Sequence, residues 1–380
     1  MRNRNKKNRG FSLLELMISM AIGLIVLAGA VSLYSQAVKA SFLTSEKSEL
    51  QEDFRAAGNV MERDISLAGA GAMGQQGLAA GAVGLPAATG QLPVYPCYTS
   101  CTLVNGTAAA YPTLTGSPTA PFLYSIIPGP NLGITINAAQ GPTDILTVSY
   151  TDAALALNCY QGTAVSSGGT TTVTFTLPAT WPSICTLPPG LLVPQSLLDP
   201  VVGLKTGDLV MFGSLAIGSV TTVAAGGAPN TFVVTFTNGD PGHINQPTAT
   251  SGSLKQLPAG NLTATRLLMI TYYLDLSPMD GVTPRLMRIQ NGRQPTPVAE
   301  NVAYLKFTYD VYNNGTVLSN QASLPAADNP SMITKVNIAH MTMRSQLPGS
   351  AGYQGLDLQT SVSARNVTFT QEYPISGSAY

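Results

Sequence analysis

Residues 1–38 read MRNRNKKNRGFSLLELMISMAIGLIVLAGAVSLYSQAV, a short basic segment followed by a long apolar one. The first ten residues are polar and contain five basic side chains, Arg2, Arg4, Lys6, Lys7 and Arg9. Residues 16–38 follow as 23 residues without a charge. As a helix they would be about 35 Å long, enough to cross a hydrocarbon core of about 30 Å. The basic end predicts an anchor whose start stays in the cytoplasm while the rest of the chain is exported.

Two features set this segment apart from an ordinary signal anchor. No small-residue cleavage site closes its apolar part, so removal as a secretory signal is not expected. Glu15 lies inside the apolar stretch, where a carboxylate costs about 2.5–3.5 kcal/mol on membrane-insertion scales. We therefore interpret Glu15 as a functional residue that has a partner.

The sequence Gly10-Phe11-Ser12-Leu13-Leu14-Glu15, behind a basic leader and before an apolar run, resembles the type IV prepilin signal. The resemblance implies that a prepilin peptidase, a membrane aspartyl protease, cuts between Gly10 and Phe11 on the cytoplasmic side. It also implies that the enzyme methylates the new amino group of Phe11. In this family the first half of the helix forms the core of a filament.

The physical role of Glu15 follows from the amine that cleavage would create on Phe11. The carboxylate can pair with such an amine on a neighbouring subunit, and in a low dielectric this pairing offsets part of the desolvation cost. The pair would favour one axial register as a subunit leaves the bilayer. The alternative is a chance glutamate in a signal anchor.

The helix is expected to continue past the membrane as an amphipathic segment. Apolar residues recur there at spacings of three and four: Leu50, Phe54, Ala57, Met61, Ile65 and Ala68. This spacing predicts a stripe that faces the core of a β domain. The alternative is a seam that faces other subunits.

The segment Gly69–Gly74 matches the pattern G-x-G-x-x-G. A dinucleotide site needs that pattern between a strand and a helix, whereas here it follows a long helix. The glycines are expected to end the helix and to begin a surface loop over residues 69–96. We expect no cofactor at this position.

Beyond the loop, short β-like runs alternate with turn signals. The clearer runs are Ile145–Thr151, Thr170–Leu177, Asp208–Phe212, Thr231–Thr237, Arg266–Leu274, Leu286–Gln290, Tyr304–Tyr312, Ile333–Arg344 and Thr360–Phe369. Asn314-Gly315 follows the seventh run and predicts a tight turn. The fold class is therefore α+β: a pilin-like lollipop, in which a long N-terminal transmembrane and amphipathic helix carries a large antiparallel β-rich head.

The expected organisation has four parts. They are a cleaved leader (1–10), a helix that is transmembrane in its first half (11–68), a loop rich in glycine, alanine and proline (69–96), and a β-rich head (97–380). Parts of the head resemble PilW-type minor pilins, namely Gly207–Val210, Asn301–Tyr309, Val336–Arg344 and Arg365-Asn366. The region from about 75 to 200 resembles no family that we can name, and we interpret it as an insertion.

Four cysteines lie far beyond the apolar segment, Cys97, Cys101, Cys159 and Cys185. An even number in an exported domain favours disulfides, and four cysteines allow three pairings. We favour Cys97–Cys101 and Cys159–Cys185 because these close the shorter loops. A metal or redox role is the alternative for Cys97 and Cys101.

No motif for catalysis is present: the sequence lacks H-E-x-x-H, G-x-S-x-G and a P-loop. Of the two histidines, His243 lies in a polar loop. His340 is expected to be partly buried on one strand face with Val336 and Ile338. We expect no enzyme activity.

Metal and nucleic-acid sites are not expected either. Asp310, Asn313 and Asn314 carry oxygens that suit calcium, but an EF-hand pattern is lacking and a hairpin turn explains the asparagines. Without the basic leader, 14 basic residues face 19 acidic ones, a net charge of −5. No basic patch remains, so no direct binding of nucleic acid is expected.

The resemblance implies a PilW-like minor pilin that helps to initiate a type IV pilus. Its partners would be other minor pilins, the major pilin, the prepilin peptidase, the inner-membrane assembly platform and a tip adhesin. It would cross the bacterial inner membrane once, with its head in the periplasm, and then move to the pilus at the cell surface. The alternatives are a J-type minor pseudopilin of type II secretion and a membrane-anchored periplasmic binding module or tip adhesin.

Overall fold

The structure is a computed structural model. It describes residues 12–71, 124–213, 215–240, 242, 244–245, 253–276, 279, 281–291, 293–313, 316–324, 330–345 and 354–364. The chain divides into two compact units, one of Met1–Glu52 with Ser345–Gln354 and the other of Asp53–Arg344 with Gly355–Tyr380. The predicted leader and most of the predicted loop and insertion therefore lie outside the described residues.

One helix, α1 (Leu13–Ser66), runs through the N-terminal part of the chain. Its sequence contains no proline, and leucine, alanine and methionine, which lose little rotamer freedom in a helix, are frequent. The helix ends where the glycine-rich motif begins, because Gly69 and Gly71 adopt φ values of 76° and 72°. The prediction that these glycines end the helix is confirmed.

The second half of α1 carries the predicted apolar stripe. Within the unit that begins at Asp53 its five members Phe54, Ala57, Met61, Ile65 and Ala68 are buried, and Ala57, Met61 and Ile65 are fully inaccessible to solvent. Side chains three and four residues apart share one face of a helix, so burial of this series fixes which face is covered. The predicted core-facing stripe is confirmed.

The rest of the described chain is mostly β-structure. Its strands are β1 (Ile126–Gly129), β2 (Ile145–Thr151), β3 (Gln161–Ser167), β4 (Thr170–Thr176), β5 (Leu209–Phe212), β6 (Ala216–Ser219), β7 (Thr222–Ala225), β8 (Thr231–Thr237), β9 (Thr265–Leu276), β10 (Pro284–Gln290), β11 (Thr296–Glu300), β12 (Val302–Asn313), β13 (Thr316–Gln321), β14 (Ile333–Ser345) and β15 (Gln354–Ser363). Eight of the nine predicted runs form strands, and the α+β class is confirmed. Of the ninth, Thr360–Phe369, residues 360–363 lie in β15 and residues 365–369 lie outside the described part of the chain.

The strands form three sheets. The first has the order β1-β2-β9-β10-β11, with β5 paired to β9 and β6 paired to β5. The second has the order β13-β12-β14-β15, and the third has the order β3-β4-β8-β7. Strands β12 and β13 place Asn313 opposite Thr316. The tight turn predicted at Asn314-Gly315 lies outside the described part of the chain.

Residues 152–264 form an excursion between two strands that pair directly. Thr151 of β2 lies opposite Leu267 of β9 at the base of this excursion, and β5 and β6 within it also pair into the first sheet. The guanidinium of Arg266 donates to the carboxylate of Asp152 through Nε, over 2.7 Å, and through a second nitrogen. The excursion builds the third sheet and its own apolar cluster, which includes Phe175, Phe212 and Phe236.

The expected position of His340 is wrong. In the pairing of β12 with β14, Lys306 lies opposite His340 and Phe307 lies opposite Ile338, so Ala339 is an extra residue, a β-bulge. A bulge reverses the alternation of faces. Met341 is therefore buried with Ile338, whereas the His340 side chain is 50% exposed, with Nδ1 3.0 Å from Oδ2 of Asp357.

The excursion contains a disulfide between Cys159 and Cys185, which are 26 positions apart. We expect the double substitution Cys159→Ser and Cys185→Ser to lower the free energy of unfolding by about 3.5 kcal/mol, because it frees a loop of this length in the unfolded chain. Urea unfolding followed by the fluorescence of Trp181, the sole tryptophan, measures the change. The exposed neighbour Ser183→Ala serves as the control, and equal stability of the two variants would contradict the expectation.

Candidate assembly site on the N-terminal helix

Ser12 starts α1 as its N-cap. The backbone N–H of Glu15 donates to Oγ of Ser12 over 3.2 Å and lies 3.1 Å from the Ser12 carbonyl oxygen. The N–H of Leu16 donates to the same carbonyl over 3.2 Å. The Glu15 amide is one of those that the first turn of a helix leaves without an intrahelical partner, so the cap satisfies it, and the bond from Leu16 is the first regular bond of the helix.

This cap was not predicted, although the sequence contains a signal for it. Serine three positions before glutamate is the capping-box pattern, in which the serine side chain bonds the third residue of the helix. Ser12 and Glu15 have that spacing. The start of the helix is therefore encoded within the processing motif itself.

Glu15 occupies the first turn of the helix and is exposed. A carboxylate at this end interacts favourably with the helix dipole. Within the described part of the chain Glu15 forms no ion pair. Gly10 and Phe11, the predicted cleavage residues, lie outside the described residues.

The first half of α1 presents apolar side chains in every direction. Leu13, Ile25 and Tyr34 are more than 70% exposed. An 18-residue window of this helix has a mean hydropathy of 2.4 and is not buried at all. By length and composition the helix can cross a membrane, although a signal sequence would meet the same criterion. A surface of this kind is stable only in lipid or against other apolar surfaces.

A second functional feature of α1 lies near its end, within the unit that begins at Asp53. The carboxylate of Asp64 accepts hydrogen bonds from the hydroxyls of Tyr150, over 3.1 Å, and Tyr272, over 2.5 Å. It also accepts from Nε of Arg288 over 2.8 Å and forms an ion pair with it. Asp64 is only 4% exposed. Three strands, β2, β9 and β10, thus hold one helix carboxylate.

We name this group of residues the clamp: Asp64, Tyr150, Tyr272 and Arg288. Its electrostatics keep the two tyrosine hydroxyls and the guanidinium protonated. Burial, together with the charge and hydrogen bonding of Asp64, raises the pKa of both tyrosine hydroxyls well above the usual value. Burial alone would lower the pKa of Arg288, but the hydrogen bond and charge of Asp64 raise it. The tyrosines therefore remain donors and the arginine remains charged.

Sequence reasoning missed the role of Asp64. Asp64 lies three residues after Met61 and four before Ala68, so it shares the face of the buried stripe. An acidic residue in a core-facing stripe indicates a bound carboxylate, because a buried carboxylate requires hydrogen-bond or ionic partners. Those partners lie on strands far away along the chain.

The other predicted site residues are not brought to α1. Cys159 and Cys185 lie in the excursion as a disulfide, and Cys97 and Cys101 lie outside the described residues. Among the described residues, no group of three or more histidine, cysteine or acidic side chains could hold a metal ion. Oδ1 of Asp310, weighed as a calcium ligand, accepts from the Asn320 N–H and the Asn337 amide; Asn314 and His243 lie outside the described part of the chain.

Comparison with known families found a match at the N-terminus. A family model described as the prokaryotic N-terminal methylation motif matches residues 5–31. No curated protein and no solved structure matched the chain. The matched residues span the basic leader, Ser12, Glu15 and the first half of the apolar helix.

The chain therefore carries the N-terminal methylation motif of type IV pilin-like and pseudopilin proteins. This motif is typical of structural, non-enzymatic proteins, and it implies interaction with a prepilin peptidase and with pilus machinery. It also fits anchoring in a membrane and a location at the pilus surface.

Proposed function

We propose that this protein is a PilW-like minor pilin that takes part in the initiation and assembly of a type IV pilus. The observation that carries the proposal is the combination of a methylation motif over residues 5–31 with an exposed apolar helix whose first turn holds Glu15. Assembly through that helix explains why a carboxylate stands in an apolar stretch.

The size of the chain supports a minor component. Most of its 380 residues follow the helix, and a bulky head suits a subunit used once or a few times rather than thousands of times along a thin filament. The short β segments in the C-terminal half that resemble PilW-type minor pilins point the same way.

In this proposal residues 1–10 are removed by cleavage between Gly10 and Phe11, and the amine of Phe11 is methylated. The mature chain then crosses the inner membrane once, with its head in the periplasm. Its partners are other minor pilins, the major pilin, the inner-membrane assembly platform and a tip adhesin. Its role is structural.

Deletion of the gene tests this function. We expect loss of pili sheared from the cell surface together with normal release of exoproteins into the medium, and complementation with the intact gene should restore the pili. Normal pili with lost secretion would instead identify a J-type minor pseudopilin. No change in either would leave a membrane-anchored binding module.

A further inference from the structure

The outward face of the third sheet, formed by β3, β4, β8 and β7, carries a regular array of threonines. The array, named here the threonine face, comprises Thr163, Thr170, Thr172, Thr174, Thr176, Thr222, Thr231, Thr235 and Thr237. The register places them in rows: Thr172 lies opposite Thr235, which lies opposite Thr222. Neighbouring threonines within such a row are about 4.8 Å apart, the distance between adjacent strands.

The two faces of this sheet differ in composition. On the inner face Val173, Phe175, Val234 and Phe236 are at most 1% exposed and belong to the apolar cluster of the excursion. The threonines alternate with them along β4 and are half-buried or exposed. The outward face also carries Val165, which lies opposite Thr172, and Val233, which lies opposite Thr174. The inner packing therefore holds the threonine face in a fixed shape.

The third sheet contains no charged residue: its strands read QGTAVSS, TTTVTFT, TVAA and TFVVTFT. The second sheet, in contrast, carries Lys306, Lys335 and Asp357 on its strands. The absence of charge thus distinguishes this surface within the same protein. A charged partner would find no opposite charge on these strands with which to form an ion pair, whereas a neutral partner does not need one.

Most of the hydroxyls are available to a partner. Oγ1 of Thr231 donates to the carbonyl of Ala228 over 2.5 Å. The other eight hydroxyls form no side-chain hydrogen bond within the part of the chain that the structure describes. Each can donate one bond and accept two, so it can match a partner hydroxyl in either role. Because threonine is β-branched and stiff at χ1, little side-chain entropy is lost on binding.

We propose that the threonine face binds a neutral, hydroxyl-rich polysaccharide. The uncharged surface selects against charged polymers, the hydroxyl rows exchange hydrogen bonds with sugar hydroxyls, and the threonine methyl groups cover the C–H faces of the sugar rings. This activity goes beyond the proposed role in assembly and does not depend on it.

The test uses the full-length processed protein in detergent micelles with immobilised dextran, amylose and galactomannan as neutral probes, and alginate and heparin as anionic controls. We expect retention on at least one neutral polymer and on neither anionic one. Thr172→Val with Thr235→Val keeps β-branched shape but removes two central hydroxyls, and it should weaken binding about tenfold. Unchanged binding by this variant would overturn the proposal.

A charged variant and a matched control complete the test. Thr172→Lys with Thr235→Lys should abolish binding, whereas Thr316→Lys with Ser319→Lys, on exposed positions of β13, should leave it unchanged. Surface pili should remain normal in all variants, so failure here is separable from failure of the assembly role. Polysaccharide binding would be refuted if the protein were retained on none of the neutral polymers. It would also be refuted if sedimentation showed that the wild-type protein self-associates and that the charged variant alone abolishes this association.

Discussion

Glu15→Ala is expected to leave leader cleavage intact and to reduce incorporation into filaments at least about tenfold. Glu15 is exposed in the first turn of α1 and forms no ion pair among the described residues of its own chain, and the proposed partner is the amine of a neighbouring subunit. Pairing with a neighbouring amine in low dielectric is worth several kcal/mol at most, and each 1.4 kcal/mol lost is a factor of ten. Immunoblots of sheared filaments and of the membrane fraction measure both steps.

Two further variants separate charge from other effects. Glu15→Gln keeps the size of the side chain and should reduce incorporation as Glu15→Ala does. Glu49→Ala removes an exposed carboxylate farther along the same helix and should have no effect. Normal incorporation of the alanine variant would refute the role of Glu15 in assembly. Accumulation of the uncut form would show instead that Glu15 is needed for leader cleavage.

Asp64→Ala is expected to lower the free energy of unfolding by about 4 kcal/mol. The substitution leaves Arg288 without its counter-charge in a largely buried position, which typically costs about 3–5 kcal/mol. It also removes the acceptor of the Tyr150 and Tyr272 hydroxyls. Urea unfolding of the full-length protein, followed by near-UV circular dichroism of the tyrosines, measures the change.

The coupling between helix and sheet can be isolated by a double-mutant cycle. In an Arg288→Met background, Asp64→Ala should cost much less, because no buried cation is left unpaired. Asp53→Ala, which removes an exposed carboxylate from the same helix, should change stability by less than about 0.5 kcal/mol. Equal costs of Asp64→Ala in both backgrounds would show that the ion pair does not hold the clamp together.

Sequence patterns predicted the interior strands of the sheets and missed most of the edge strands. The missed strands are β1, β3, β6, β7, β11 and β13, and each lies at an edge of its sheet. Two of them, TVAA in β7 and TPVAE in β11, bury few side chains and carry weak apolar runs. The strands β1 and β6 are largely buried but only four residues long, so their apolar runs are too short to stand out. All eight interior strands were predicted, because their apolar residues must be covered on at least one face.

The candidate site was predictable only where its signal is local. The motif around Glu15 and the stripe through Met61 depend on spacing along one helix, which the sequence contains directly. The clamp on Asp64 depends on Tyr272 and Arg288, which lie 208 and 224 positions away. The bulge that turns His340 outward likewise depends on pairing with another strand.

The closure of the excursion has a consequence for the time course of export. Asp152 and Arg266, which join at its base, are 114 positions apart, so the pairing of β2 with β9 has a high contact order. If the chain enters the periplasm from its N-terminal end, β2 arrives long before β9. Until β9 arrives, β2 exposes an unpaired edge that is open to proteolysis and to association with other chains. This interval would make the newly exported protein dependent on periplasmic chaperones, and a slower translocation rate would lengthen that dependence.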